Sequence, residues 1–432
     1  MDSAKPRVAI VDGCRTPFLR SGTGFRELMA WQLGQAAVQG LLTRVGVPFE
    51  TVDGVVMGCV AADIATTNVA REITLGTGLP RSVPAYTCTV ACISANQAVT
   101  NGACAILAGK AETVIAGGVE TFSDVNIRIS EKYRRFLLDI TLFNRPKTWK
   151  DWIPHLKKMR PLDFIAPQKP SISEFSTGLI MGENADRLVK RLGVSRERQD
   201  AYAVTSHQRA VTAAENAFFD EEIIPVVVDG NTVDSDNGPR ADANQAKLST
   251  LKHAFDKKYG TVTAGNSSFL SDGGAAVMLM SEAKARELGL NPIGYLSHYA
   301  YSAQDPVEEL LLGPAFSMAR LFQETGLTLD EIGVFEIHEA FAGQVLANLD
   351  CMASDDYCRD RLGLSGAMGE MDMDKLNRHG GSLSIGHPFG ATGARLITTC
   401  CRRLKQEGHR YGVVAGCAAG AVGSAILIES AE

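Results

Sequence analysis

The stretch 83-VPAYTCTVACISANQAVTNGACAILAG-109, followed by 113-TVIAGG-118, decides how this chain folds. Val83 to Thr89 has the length and residue types of a strand. Cys92 to Gly109 has the length of a helix and ends on glycine, and Thr113 to Ile115 is a second strand closing on Gly117-Gly118. Strand, helix and strand in that succession make a βαβ unit, which predicts an α/β fold with a mainly parallel sheet.

The same alternation extends outward on both sides. An apolar run from Arg7 to Val11 stops at Asp12-Gly13, a helical period covers Leu28 to Val45, a strand lies near Val55 to Val60 and a helix near Asn68 to Gly78. Late in the chain the rhythm returns: a strand near Ile293 to Ser297, a helix near Ala315 to Thr325, a strand from Val334 to Ile337, a helix from Ala340 to Leu349, a strand-helix pair from Ser384 to Leu404, and a hairpin of Gly412 to Gly416 with Ser424 to Ile428. The expectation is two similar α/β halves, residues 1–120 with 269–290 and residues 291–432, with 121–268 as an inserted loop domain.

The insertion holds the densest basic cluster of the chain. Between Arg128 and Arg160 ten Lys or Arg residues stand against three acidic ones, with Phe136, Phe143, Trp149 and Trp152 interleaved. Pro146, Pro154, Pro161, Pro167 and Pro170 rule out one long helix. The segment reads either as a solvated loop whose aromatics pack on the domain below, or as a patch for ligand phosphates, a partner subunit or an anionic membrane surface.

Bulk composition narrows the function classes. The 432 residues are 45% hydrophobic and 21% charged, which fits a globular protein of two or three packed units, and a formal charge of -6 gives no general attraction for nucleic acid. No export signal and no apolar run of about eighteen residues is legible, so the expected setting is cytoplasmic. The ten cysteines lack CxxC spacing; neither a zinc site nor a disulfide framework is indicated, and a reducing compartment fits.

Four motifs carry candidate chemistry. Cys92 follows a strand and opens a helix, where N–H groups and the helix dipole are expected to acidify a thiol; taken alone, a cysteine in apolar surroundings is structural. In 386-GHPFGATG-393 the glycines let a ligand approach the backbone beside His387. In 411-YGVVAGCAAGAVG-423, Cys417 ends a strand inside a glycine-rich hairpin and could exchange a proton if its pKa is lowered. In 336-EIHEAF-341, His338 and Glu339 end a strand and begin a helix, which in isolation is only a helix-start signature.

Together these motifs, in this order, resemble the thiolase family over essentially the whole chain, and 260-GTVTAGNSS-268 is similar to the segment by which thiolases contact the pantetheine arm. Most thiolases carry Asn where His338 stands. That histidine, the 91-ACISAN-96 and 173-SEFST-177 stretches and the insertion after Asp124 resemble the branch that serves fatty-acid oxidation as the beta subunit of a trifunctional complex.

The resemblance implies two halves with mixed sheets around buried helices, and cleavage of 3-ketoacyl-CoA by coenzyme A through a cysteine acyl-enzyme. It implies Cys92 as nucleophile, His387 as its base, Cys417 as the acid that protonates the departing acetyl-CoA carbanion, and His338 beside His387 at the thioester oxygen. The N–H groups of Cys92 and Ala419 would form an oxyanion hole, although alanine stands where the family commonly has glycine and restricts φ. Ser268 and Gly390 are implied in substrate binding. No metal or tightly bound organic cofactor is implied, coenzyme A being a substrate. Expected partners are acyl-CoA, a second copy in a homodimer or higher oligomer, and an alpha subunit with hydratase and dehydrogenase activities. Rival readings are an acetoacetyl-CoA thiolase, a decarboxylating ketoacyl synthase, which needs no second catalytic thiol, and a non-catalytic scaffold.

Overall fold

Two strands that pair near the middle of the sheet, β1 (Val8–Arg15) and β11 (Gly294–Ala303), join the two halves of the protein. The computed structural model describes residues 7–157, 167–168 and 173–431. In chain order the other strands are β2 (Leu19–Arg20), β3 (Gly54–Gly58), β4 (Ala85–Cys88), β5 (Thr113–Glu120), β6 (Arg128–Ile129), β7 (Pro167–Gln168), β8 (Val226–Val228), β9 (Asn231–Val233), β10 (Ser271–Ser281), β12 (Val334–Ile337), β13 (Tyr411–Ala418) and β14 (Val422–Glu429).

One ten-stranded sheet runs β12-β13-β14-β11-β1-β10-β5-β3-β4, with β2 on β10. From β1 outward, β10 is antiparallel, β5 is antiparallel to β10, and β3 is parallel to β5. From β11 outward, β14 is antiparallel, β13 is antiparallel to β14, and β12 is parallel to β13. The expected pair of similar halves is therefore a repeat of pairing pattern, and the sheet is mixed rather than mainly parallel. The pairing Val8↔Leu296 to Ile10↔Gly294 makes the two halves one sheet.

The central strands β5 and β10 are buried along their length and read as apolar runs without alternation, because helices cover both of their faces. Two of these helices, Ser94–Leu107 and Thr392–Glu407, pack against the sheet and each other. At Gly393 a Cβ would run into the Asn96 carboxamide, so glycine sets how closely they approach. Among the described residues no helix is long and apolar enough to cross a membrane.

The inserted unit is shorter than expected. The chain divides into Met1–Asp124 with Glu174–Glu432, and Val125–Ser173. Residues 174–268 fall in the larger unit because their helices have apolar faces: Ala185, Leu188 and Val189 of Met181–Leu192 and Tyr202 and Ala203 of Arg196–Glu215 share a core with Val345 and Leu349 of Ala342–Ala353. A change of composition marked where the insertion begins; only packing marked where it ends.

Within Val125–Ser173, helices Glu131–Leu138 and Trp149–Leu156 flank a π-helical turn, Asp139–Phe143, so the proline-rich segment is broken as expected. Leu142, Phe143 and Trp149 are exposed, and the His155 imidazole meets the Asp139 carboxylate at 2.9 Å. Residues 158–160 of the basic segment, Pro161 and Pro170 lie outside the described residues.

Candidate active site

Between the end of β4 and the start of helix Ser94–Leu107 the chain turns sharply, and Cys92 occupies that turn rather than the first helical position. Ala91 has φ of 44°, a left-handed conformation that L residues with a Cβ adopt at a cost. The Ser94 hydroxyl holds it: it donates to the Ala91 carbonyl at 2.7 Å and accepts from Val90 N–H at 2.8 Å.

The thiol is not acidified as the helix-terminus argument led us to expect. Burial of the sulfur and the carboxylate of Glu120 push it up to about 12, against a smaller opposing pull from the N–H groups of Ala419 and of Cys92 itself. Cys92 stands two residues before the first helical residue, and desolvation outweighs the favourable N–H groups around its sulfur. At rest the group is a thiol, and a base is needed to make it a nucleophile.

His387 supplies a group of that kind. Gly386, at φ of 117°, turns the chain as only glycine does readily, and the His387 N–H donates to Ser271 Oγ at 2.9 Å. Its Nδ1 lies 2.7 Å from Thr392 Oγ1, and that hydroxyl donates to the Pro388 carbonyl at 2.9 Å. The hydroxyl must then accept from Nδ1–H, which leaves a lone pair on Nε2. Nε2 is buried with no hydrogen-bond partner. Burial, with His338 and Arg395 nearby, lowers the imidazole well below its usual range, so it is neutral and able to accept a proton.

His338 follows β12 and donates its N–H to the Ala415 carbonyl of β13 at 2.8 Å. Its Nδ1 is 2.9 Å from Ser382 Oγ, its Nε2 is also buried and unpartnered, and burial takes it down to about 3. The two imidazoles lie 4.0 Å apart between centroids. One atom each from Cys92, His338 and His387 falls within 4.8 Å of the others, the only such group among the described residues. The grouping sets a thiol beside two imidazoles whose Nε2 atoms have no other partner, so a proton can pass from sulfur to ring once they close to hydrogen-bond distance.

Cys417 is buried near the end of β13. Burial first, and then the neighbouring Cys92, push its thiol upward, which puts the two sulfurs in one electrostatic environment. A Cβ on the preceding Gly416 would lie 3.1 Å from Ile93 and 3.5 Å from the His338 Cβ, so β13 runs beside both. Ala419 lies in the turn after β13; Gly420 and Ala421, not Ala419, take the left-handed conformations there, at φ of 87° and 55°. Alanine at 419 is therefore unstrained.

Ser268 donates its N–H to the Ala340 carbonyl at 2.9 Å, beside the Ser267↔Phe341 bridge, and so sits next to the segment that carries His338. Gly390 is buried and faces strands rather than open space: a Cβ there would run into the carbonyl oxygens of Val119 and Gly58. Close backbone packing is by itself a reason for glycine here.

Other groups escaped the sequence reading. Glu339 is a buried anchor that accepts from Tyr202 Oη at 2.9 Å, Ser206 Oγ at 2.8 Å and Asn377 Nδ2 at 2.7 Å, and so fixes the residue after His338. A small cavity of about 90 Å³ is lined by Arg20, His207, Arg240, Lys247, Ser267 and Phe269, drawn from five separate parts of the chain. No local spacing reveals such a cluster; only the 260–268 motif pointed near it.

Residues 8–283 match the family described as thiolase, N-terminal domain, and residues 290–430 match thiolase, C-terminal domain. The chain is 46% identical over 431 residues to "Trifunctional enzyme subunit beta, mitochondrial" of Bos taurus, covering 99% of this chain and 90% of that protein. It is 41% identical over 425 residues to "3-ketoacyl-CoA thiolase" of Yersinia enterocolitica, covering 98% and 97%. The solved structure of an acetyl-CoA acetyltransferase from Bacillus anthracis superposes with a TM-score of 0.82 at 31% identity, covering 99% of this chain and 100% of that one.

Proposed function

The chain belongs to the thiolase family, and on that premise we propose that it is a 3-ketoacyl-CoA thiolase, an acyltransferase of fatty-acid β-oxidation. The observation that carries the reading is the meeting of the Cys92 sulfur with two neutral imidazoles within 4.8 Å, beside Cys417.

In the proposed reaction His387 Nε2 takes the Cys92 proton and the sulfur attacks the 3-keto carbon. The C2–C3 bond breaks, leaving an acyl group on Cys92 and an acetyl-CoA enolate that Cys417 protonates. A CoA thiol then gives its proton to the Cys417 thiolate and attacks the acyl-enzyme; the shortened acyl-CoA leaves, and the Cys92 sulfur recovers its proton from His387. His387, once its Nε2 carries the Cys92 proton, and His338 hold the thioester oxygen of the acetyl part, and the N–H groups of Cys92 and Ala419 hold the oxyanion of the acyl-enzyme steps. Preorganised donors of this kind contribute about 2.7–4 kcal/mol each. Arg20, Arg240 and Lys247, around the cavity near Ser267, supply cations for the phosphates of coenzyme A, and Ser268 a contact for its pantetheine arm. The reaction needs no cofactor beyond the substrate.

Association with a second copy and with an alpha subunit belongs to the same reading. It is supported by the similarity to a trifunctional enzyme beta subunit, by the edge position of β4 with exposed Tyr86, and by the exposed aromatics of the Val125–Ser173 unit, which also suit an anionic membrane surface.

The test is a thiolysis assay with CoA across 3-ketoacyl-CoA chain lengths. We expect ping-pong kinetics with release of acetyl-CoA and turnover extending beyond acetoacetyl-CoA. Activity confined to acetoacetyl-CoA would make it an acetoacetyl-CoA thiolase, carbon dioxide release from malonyl-CoA a ketoacyl synthase, and acyl-CoA binding without turnover a scaffold.

A further inference from the structure

Glu120, the last residue of β5, is fully buried yet belongs to none of the motifs above. Both of its oxygens are engaged. Oε1 accepts from Ala61 N–H at 2.9 Å and lies 3.8 Å from Cys59 Sγ; Oε2 accepts from Val60 N–H at 3.1 Å and Gly390 N–H at 3.0 Å. The first three partners lie in the loop after β3, and the last lies three residues beyond His387. One carboxylate thus ties the end of β5 and the β3 loop, both in the N-terminal half, to the turn that presents His387 from the C-terminal half. A buried charge is costly unless its lone pairs are filled, and here three N–H groups fill them.

We propose that Glu120 is a positioning residue for the reaction, fixing the His387 turn against the floor on which Cys92 sits. This rests on the function proposed above. Gly390 and Gly118 let the backbones touch and Ser271 Oγ holds the His387 N–H at one end of the turn, but neither fixes the turn's far end at Gly390 in direction. The carboxylate does, by fixing the Gly390 N–H. Its charge also acts through space on the nucleophile, whose other titratable neighbours are His338, His387 and Cys417. Cys59 and Cys92 are the titratable groups facing Glu120 itself. Burial raises the Glu120 carboxyl itself to about 7; once ionised, its charge adds to the burial that chiefly keeps Cys92 a neutral thiol until His387 takes the proton.

The experiment compares wild type, Glu120→Gln and Glu120→Asp in steady-state thiolysis and in the pH profile of iodoacetamide alkylation at Cys92, read by mass spectrometry. Glu120→Gln is expected to lower kcat by about ten- to a hundredfold with KM little changed, because a misplaced base costs rate rather than affinity. It should also shift the alkylation midpoint about one unit toward lower pH, since a negative neighbour has been removed. Glu120→Asp keeps the charge but cannot reach all three donors. It should lose kcat while its alkylation midpoint stays at the wild-type value, and it keeps the idea testable if the Gln variant does not fold. Wild-type kcat in either folded variant, or an unmoved midpoint in Glu120→Gln, overturns the proposal. Wild-type protein without thiolysis would instead sink the proposed function, with the alkylation profiles still testing Glu120.

Discussion

From β1 outward and from β11 outward the two halves repeat one pattern of strand pairings, but their turns carry different chemistry. The N-terminal half contributes Cys92, held on a strained turn at Ala91 by the Ser94 hydroxyl. The C-terminal half contributes His338, His387 and Cys417 from strand ends and a glycine turn, with each imidazole oriented by a hydroxyl on its Nδ1. The repeated frame is a matter of buried strands and tolerates duplication; the chemistry sits in connections, which can diverge without disturbing the sheet. Neither half holds a complete set of groups, so the proposed reaction exists only because the halves join, through the β1–β11 pairing and the packing of Thr392–Glu407 on Ser94–Leu107.

The most severe way to break this division of labour is Cys92→Ser. We expect no acyl-enzyme and no measurable thiolysis with the fold intact by circular dichroism; intact-protein mass spectrometry followed by peptide mapping checks it. A substrate acyl group found on Cys88 would move the nucleophile out of the turn.

A milder break is Cys417→Ala in the opposite half. Exchange of acetyl-CoA α-protons with solvent should slow by about a hundredfold or more, the usual scale for a lost general acid-base group. Proton NMR in deuterated buffer follows it, and wild-type exchange would remove Cys417 from the proposed mechanism.

The smallest effects sharpen the contrast between the two turns. Ala91→Gly should stabilise the protein by up to about 1 kcal/mol, because it relieves a left-handed alanine. Ala419→Gly should destabilise it by about 0.4–1 kcal/mol, because alanine is unstrained there and glycine only adds freedom to the unfolded chain. Opposite shifts in chemical denaturation midpoints are expected; shifts of the same sign would mean that the two turns are strained alike.

Much of this was legible in the sequence. Val83 to Gly118 gave strand, helix and strand, and the return of that rhythm after residue 290 gave two halves. The motifs around Cys92, His338, His387 and Cys417 pointed to one family, and the structure gathers those residues in one place. What was misread shares a cause. The insertion was drawn too long because the apolar faces of Met181–Leu192 and Arg196–Glu215 find their partner helix some 150 residues further along. The close packing of Gly390 against Val119 and Gly58 was not legible, because a glycine looks the same in sequence whether it faces a ligand or another backbone. The Cys92 thiol was expected to be acidic because the helix start is local information and burial is not.

The sequence by itself determined the local conformations and the inventory of reactive groups, since turn chemistry, residue spacing and hydrophobic periodicity act over a few residues. Only the tertiary structure decided the ionisation states and orientations of those groups. Desolvation, the charge of Glu120 and the hydroxyls of Thr392 and Ser382 act through space, between residues that the chain separates by tens to hundreds of positions or by a turn whose direction the fold alone sets.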